Sequence, residues 1–263
     1  MSNRVSGVGR VTLVGGGPGL DDLITVAGAR ALASADVVLY DRLAPHENLA
    51  ELAPHASLVN VGKTPGHHPV SQKGIEALLV EYARTGSNVV RLKGGDPYVF
   101  GRGSEEVIAC QLAGIPVSVV PGVTSAISVP AAAGIPLTHR GVSHLFTVVS
   151  GHAPLTDSEL EHLAGLGGTI VVLMGIGTLP QVTQGLQRFG CAAELPVAII
   201  ERGFSSEQRT TIADLGTVVF EAARVGARSP AVLVIGEVVR LAHDGDADAA
   251  VLLARAERLA EPQ

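Results

Sequence analysis

The sequence predicts an α/β chain of two domains, and three observations carry that prediction. Apolar, β-branched runs alternate with helix-like stretches from Val11 to Gly134, the pattern of a largely parallel sheet. After Gly141 the pattern changes to short strands and helices that include a pair read as antiparallel, which makes a second, mixed α/β unit. Between the two, Ile135-Pro136-Leu137-Thr138-His139-Arg140-Gly141 is the best linker candidate. The expected boundaries are 10–137 for the first domain and 142–242 for the second, with a tail at 243–263.

In the first domain, Val11–Val14 reads as a strand that breaks at Gly15-Gly16-Gly17-Pro18-Gly19. Asp21 and Asp22 are expected to start a helix, where its dipole favours them, with Ile24, Ala27 and Ala31 on one face and an end near Ser34. Asp36–Asp41 is a second strand, a helical patch lies around 46–52, and Ser57–Val61 is a third strand. A loop of turn formers from Gly62 to Pro69 follows. Ser71 reads as the N-cap of a helix with Ile75, Leu78, Leu79 and Tyr82 as its apolar stripe. Asn88–Leu92 is the fourth strand, 104–113 a helix closed by Gly114, and Pro116–Val120 the fifth strand. Pro121-Gly122-Val123-Thr124-Ser125-Ala126 turns into a helix of small residues ending at Gly134. In the second domain, strands are expected at 144–150, 169–174, 195–200, 209–212 and 231–235, with helices at 157–165, around Leu179–Leu186 and at 217–224. Ala249–Ala260 reads as a terminal helix.

Bulk properties exclude several function classes. The chain has 263 residues, 46% apolar, enough to build a full core. Aromatics are 3% with no Trp, and the net charge is −6, so neither a base-stacking platform nor a basic nucleic-acid face is present. Cys110 and Cys191 are far apart with no CxxC spacing, which fits a reducing compartment. No apolar run reaches the length of a membrane span and the N-terminus lacks a signal-like core, so the chain reads as soluble and cytoplasmic.

Three small-residue turns, at 15–19, 94–97 and 121–125, lie at the carboxyl ends of the first, fourth and fifth strands, where open α/β sheets hold ligands. The first resembles a dinucleotide fingerprint, with Asp41 placed where a ribose-binding acid would be. However, the third glycine is missing and Pro18 removes a donor that a pyrophosphate would need. A nicotinamide-binding dehydrogenase is therefore a rival reading only. His67-His68 lacks a third ligand at a recognisable spacing, so no metal is expected, and a polar loop touching an anionic substrate is the stronger reading. Lys63, Arg102 and Arg140 are loop cations near the same sheet edge. The residues by themselves point to a small ligand plus an anionic substrate and name neither.

At these residues the sequence resembles the tetrapyrrole methyltransferases that use S-adenosyl-L-methionine, and among them the members acting on uroporphyrinogen III. The resemblance rests on Val14–Gly19, Ala35–Leu43, Val61-Gly62-Lys63, the long run Val90-Arg91-Leu92-Lys93-Gly94-Gly95-Asp96-Pro97-Tyr98-Val99-Phe100-Gly101-Arg102-Gly103, Pro121–Ala126 and Ala133–Arg140. It spans about residues 10 to 240. It implies two α/β domains with the cofactor in a cleft between them, and a homodimer. The first domain would form the substrate side and part of the cofactor site, the second the rest of the cofactor side. S-adenosylmethionine, leaving as S-adenosylhomocysteine, would contact Pro18, Gly94, Gly95, Asp96, Val99, Thr124, Ser125, Met174 and Gly203. Asp41 would be the proton acceptor and Lys63 the proton donor, while Arg42, Arg102, Arg140 and His67 would bind substrate carboxylates. The competing structural reading of Asp41 is a strand-end cap paired with Arg42.

The implied activity is conversion of uroporphyrinogen III to precorrin-2 by successive methylations at positions 2 and 7, through monomethylated precorrin-1, in sirohaem or cobalamin biosynthesis. A later precorrin C-methyltransferase of the same family is the in-family rival, a nicotinamide-binding dehydrogenase is the rival from another class, and a non-catalytic ligand-binding regulator is the third alternative. The family usually has aspartate and proline after the first Gly-Pro-Gly, where this chain has Leu20 and Asp21, so the capping of the first helix departs from the pattern. The chain is expected to be a stand-alone methylase without an oxidase–chelatase half.

Overall fold

Two compact units divide the chain at Thr124/Ser125 in the computed structural model, which describes residues 7–62, 70–243 and 249–260. The division falls ahead of the 135–141 linker candidate because the small-residue helix at 125–132 packs on strands of the second sheet.

The first unit is built on strands β1 (Arg10–Gly15), β2 (Val37–Tyr40), β3 (Ser57–Asn60), β4 (Asn88–Lys93) and β5 (Val117–Val120). Their order is β3-β2-β4-β1-β5, every pairing parallel. Helices α1 (Val26–Ala33), α2 (Leu49–Leu52), α3 (Gln72–Arg84) and α4 (Gly103–Leu112) supply its crossovers. The strands are near-continuous β-branched runs because both faces are covered. Val11, Leu13, Val37, Leu39 and Val89 pack with Ile75 and Leu79 of α3 and Cys110 of α4. Val14, Val38, Val90 and Leu92 pack on the other face with Leu32 of α1 and Leu49 of α2.

The second unit carries α5 (Ser125–Ala132), β6 (Phe146–Ser150), α6 (Asp157–Leu166), β7 (Thr169–Leu173), α7 (Leu179–Arg188), β8 (Pro196–Glu201), β9 (Arg209–Asp214), α8 (Val218–Val225), β10 (Ala231–Ile235) and α9 (Ala249–Ala260). Its sheet runs β6-β7-β10-β8-β9, with β6 and β7 parallel and the other pairs antiparallel. Helices α6, α7 and α8 cover one face through Leu160, Val182, Leu186 and Val218. Helix α5 covers the other through Ala126 and Val129.

Most local signals hold. Ser71 accepts from the Gly74 N–H at the start of α3, and Gly114 (φ +71°) follows α4 as the left-handed stop. The first helix differs. Asp21 and Asp22 open a short 3-10 turn, Asp21–Leu23, and Thr25 caps α1 by accepting from the Gly28 N–H. Gly28 and Leu32 are its buried residues, Ile24 and Ala31 pack beside them as expected, and Ala27 is exposed. At Gly28 a Cβ would lie 3.0 Å from a methyl of Val14, so this helix turn sits directly on β1. No described helix is long and apolar enough to cross a membrane.

Candidate functional site

The three glycine turns of the first unit follow adjacent strands, β4-β1-β5, and the backbone locks them together. The Gly16 N–H donates to the Lys93 carbonyl at 2.7 Å. Gly17 and Gly95, both in the left-handed region, exchange backbone hydrogen bonds of 3.2 and 2.6 Å. Asp96 then ties the second turn to the third: its Oδ1 accepts the Tyr98 N–H at 2.8 Å and its Oδ2 the Gly122 N–H at 2.9 Å. A Cβ on Gly122 would fall 2.3 Å from the Gly95 carbonyl oxygen and 2.6 Å from the Gly15 Cα. The turns meet only because none of the three carries a side chain.

Beyond Asp96 the loop coils tightly. Phe100 (φ +53°) and Arg102 (φ +57°) are both left-handed, and the Gly103 N–H closes onto the Pro97 carbonyl at 2.9 Å. Non-glycine residues held this way mark loops whose shape is over-determined by their surroundings, a common feature of ligand sites. Tyr98, Val99 and Phe100 are all exposed, a contiguous apolar run at the rim of the glycine turns. Arg102 forms a bidentate pair with Glu105, 2.8 and 2.7 Å, at the surface, and this pairing holds the arginine's charge on and pushes the Glu105 carboxyl down.

Asp41 follows β2, half-buried, and its partner is Arg91 of β4, with Nη2 3.1 Å from Oδ2. Arg42 is exposed and does not make this pair, so the competing reading of an Asp41–Arg42 cap gives way to an ion pair to the sheet interior. Arg91 is 2% exposed and Lys93 4%, and both reach Glu106 of α4, 0% exposed. Arg91 Nε and Lys93 Nζ lie 3.2 and 3.0 Å from Glu106 Oε1, and Gln72 donates to the same oxygen at 3.3 Å. Burial, then the neighbouring Arg91 charge, pull the Lys93 amine below its ordinary value, against the opposing pull of Glu106. The sequence reading did not assemble this cluster. Its signal was there, in two cations at alternate positions of a strand whose neighbours on that face are apolar.

The other expected residues separate by unit. Pro18 and Gly94 are half-buried at the glycine turns, and Thr124 ends the first unit. Ser125 opens α5 in the second. There Met174 stands just beyond β7 at φ +58°, 44% exposed. Gly203 lies between two left-handed residues, Arg202 (φ +47°) and Phe204 (φ +66°), so close to α5 that a Cβ would be 2.7 Å from the Val129 methyls. Arg140 is exposed in a tight 139–143 turn bridged by His139 and Ser143. Lys63 and His67 lie outside the described residues. Among the described residues no cluster of histidine, cysteine or acidic groups could hold a metal. Two cavities of about 560 and 500 Å³ in the second unit are lined by none of the expected cofactor contacts.

A family model described as "Tetrapyrrole (Corrin/Porphyrin) Methylases" matches residues 10–219. The chain belongs to the tetrapyrrole methylases. A uroporphyrinogen-III C-methyltransferase of Methanocaldococcus jannaschii is 48% identical over 236 residues, covering 89% of this chain and 98% of the relative. An S-adenosyl-L-methionine-dependent uroporphyrinogen III methyltransferase of Methanosarcina barkeri is 45% identical over 240 residues, covering 90% and 94%. Among solved structures, the uroporphyrin-III C-methyl transferase of Thermus thermophilus complexed with S-adenosyl homocysteine has a TM-score of 0.74 at 44% identity. That match covers 89% of this chain and all of that one. The two-unit architecture, with its parallel and mixed five-stranded sheets, is the architecture of these methylases.

Proposed function

We propose that the chain is an S-adenosyl-L-methionine-dependent C-methyltransferase that converts uroporphyrinogen III to precorrin-2 through monomethylated precorrin-1. One observation carries this reading: relatives named as uroporphyrinogen III methyltransferases match nearly end to end at 45–48% identity. The donor set fits the methyl donor. The turns offer glycine backbone and the Asp96 carboxylate, each of whose oxygens accepts one N–H and keeps a further lone pair for a hydroxyl or ammonium group. The first turn has no N–H at Pro18 and lacks the third glycine of a dinucleotide fingerprint. That argues against a pyrophosphate-containing nicotinamide cofactor.

S-adenosylmethionine supplies a methyl group already activated on a sulfonium. The protein's task is then alignment, with Pro18, Gly94, Gly95, Asp96, Val99, Thr124, Ser125, Met174 and Gly203 holding the donor. A ring carbon forms the new C–C bond as the S–CH₃ bond breaks, and S-adenosylhomocysteine leaves. The macrocycle must then lose a proton, which Asp41 accepts, with Lys63 as the proposed donor. The substrate bears a carboxylate on every side chain. Arg42, Arg102, Arg140 and His67 provide local positive charge for it on a protein that is net negative.

The working form is a homodimer in the cytoplasm, the latter in keeping with two unpaired cysteines. The product feeds sirohaem or cobalamin synthesis. The test is purified protein with uroporphyrinogen III and methyl-labelled S-adenosylmethionine. Product masses should rise by one and then two methyl groups, and no labelled tetrapyrrole at all would end the proposal.

A further inference from the structure

Strand β4 carries an anomaly that methyl transfer does not by itself require. On one face of the first sheet, Val11, Leu13, Val37, Leu39 and Val89 form a dry apolar layer. The alternation of β4 puts Arg91 and Lys93 on that same face, in the central strand, where leucine or valine would pack without desolvation cost. Glu106, fully buried on α4, meets both cations with Oε1 while its Oε2 has no hydrogen-bond partner among the described residues. Such a cluster is poor value as a stability device, since well-packed apolar residues serve as well.

What the cluster does accomplish is to fix one guanidinium. Arg91 lies in register with Leu39, two residues before Asp41. Its Nε donates to Glu106 at 3.2 Å. Its Nη1 donates to the Leu92 carbonyl at 2.9 Å and the Leu39 carbonyl at 3.4 Å. Its remaining nitrogen, Nη2, holds Asp41 Oδ2 at 3.1 Å. The rigid fork leaves the guanidinium no second orientation that satisfies all of these partners. The carboxylate it holds keeps a side chain 30% exposed, so one side of Asp41 is anchored in the sheet and the rest stays open.

We propose that Arg91 is the positioning residue of the Asp41 carboxylate, with Glu106 as the buried acceptor that fixes Arg91. Arg91 touches neither reactant; it sets where the proton-accepting oxygens stand. Lys93, the second cation on Glu106 Oε1, balances the two carboxylates of the cluster against its two cations, and its lowered proton affinity reflects how dry the site is. This inference rests on the reading of Asp41 as proton acceptor.

The test is a double-mutant cycle on the full chain, using Arg91→Met, Asp41→Asn and the double variant, which is charge-balanced and keeps the Lys93–Glu106 pair. Steady-state kcat and KM are measured with uroporphyrinogen III, and S-adenosylhomocysteine affinity by calorimetry. The expected result is a fall in kcat of about 30-fold or more for Arg91→Met, with KM and S-adenosylhomocysteine affinity within about twofold of wild type. In the Asp41→Asn background the same change should cost less than about threefold. If Arg91→Met does not fold, the same cycle with Arg91→Lys carries the test, because the lysine keeps the buried charge but cannot span Glu106 and Asp41 together. Independent, multiplicative losses in an impaired Asp41→Asn background would overturn the positioning role while leaving Asp41's role standing. Full activity of Asp41→Asn would overturn both.

Discussion

Substituting Gly122 by alanine tests whether the three turns act as one ligand-holding unit. The new Cβ would sit 2.3 Å from the Gly95 carbonyl oxygen and 2.6 Å from Gly15, all backbone atoms that cannot rotate away. Ordinary contact begins near 3.4 Å. The third turn must therefore withdraw from the second by about 1 Å, since overpacked backbone has to move as a body. A shift of that size breaks the 2.9 Å bond from the Gly122 N–H to Asp96 Oδ2 and strains the Gly17–Gly95 bridge. A lost hydrogen bond to a carboxylate costs about 1.5–3 kcal/mol. Overpacking adds about 1–3 kcal/mol, so the expected destabilisation is roughly 2.5–6 kcal/mol in chemical denaturation. Displacing Asp96 should also weaken S-adenosylhomocysteine binding at least tenfold, about 1.4 kcal/mol, by calorimetry. The control is Gly177→Ala in the second unit, where no atom lies within 4 Å of the new Cβ and the backbone is not left-handed. A Gly122→Ala protein with wild-type affinity and a denaturation midpoint unchanged would refute the argument that this close meeting of turns builds the site.

Three further outcomes are expected. Arg102→Gln should raise KM for uroporphyrinogen III about tenfold, roughly 1.4 kcal/mol. Its stability should move by less than about 0.5 kcal/mol, because an exposed i,i+3 pair contributes little. Thr156→Ala removes the capping box of α6, in which Thr156 accepts from the Glu159 N–H and Glu159 accepts back. It should cost about 1 kcal/mol without changing turnover. Burial pushes the Cys110 thiol from 9.0 up to about 11, so in native protein it should resist thiol reagents at pH 8 and react once unfolded. Because the folded state holds that proton more tightly, its contribution is fully present below pH 9 and is lost as pH rises from 9.0 through about 11. The stability difference between wild type and Cys110→Ala should shift in that direction across the same window.

The elements that the sequence announces are those whose signals are local. The parallel sheet shows as β-branched runs spaced by helices, and Ser71, Gly114 and the glycine turns mark their own boundaries. The start of the first helix misleads because two acids in a row suit a helix N-terminus, yet they also suit a 3-10 turn. The actual cap, Thr25, lies three residues on, where β1 fixes the helix through Gly28. The division at Thr124/Ser125 is hard to read from sequence for a related reason. Pro136 and Gly141 are strong local punctuation, whereas the assignment of α5 depends on which sheet buries Ala126 and Val129, and no local signal encodes that.

The site divides along the same line. The turns were legible because a close approach of backbones demands glycine, and a sequence shows glycine directly. Asp96 was legible as a polar residue in a turn, but not as the clamp between two turns, because its partner Gly122 is 26 residues away. The buried charges were the least legible part. Taken singly, Arg91, Lys93 and Glu106 look like surface residues, and an acid at the start of α4 has a sufficient explanation in the helix dipole. Only the period of β4 sets Arg91 and Lys93 beside Leu39 and Leu13 rather than in water, and only the packing of α4 on that face brings Glu106 to them. A buried cation at the end of a central parallel strand is therefore worth tracing to its partners. Here the trace leads in two steps from Glu106 to Asp41, from the interior of the sheet to the carboxylate proposed to take the proton.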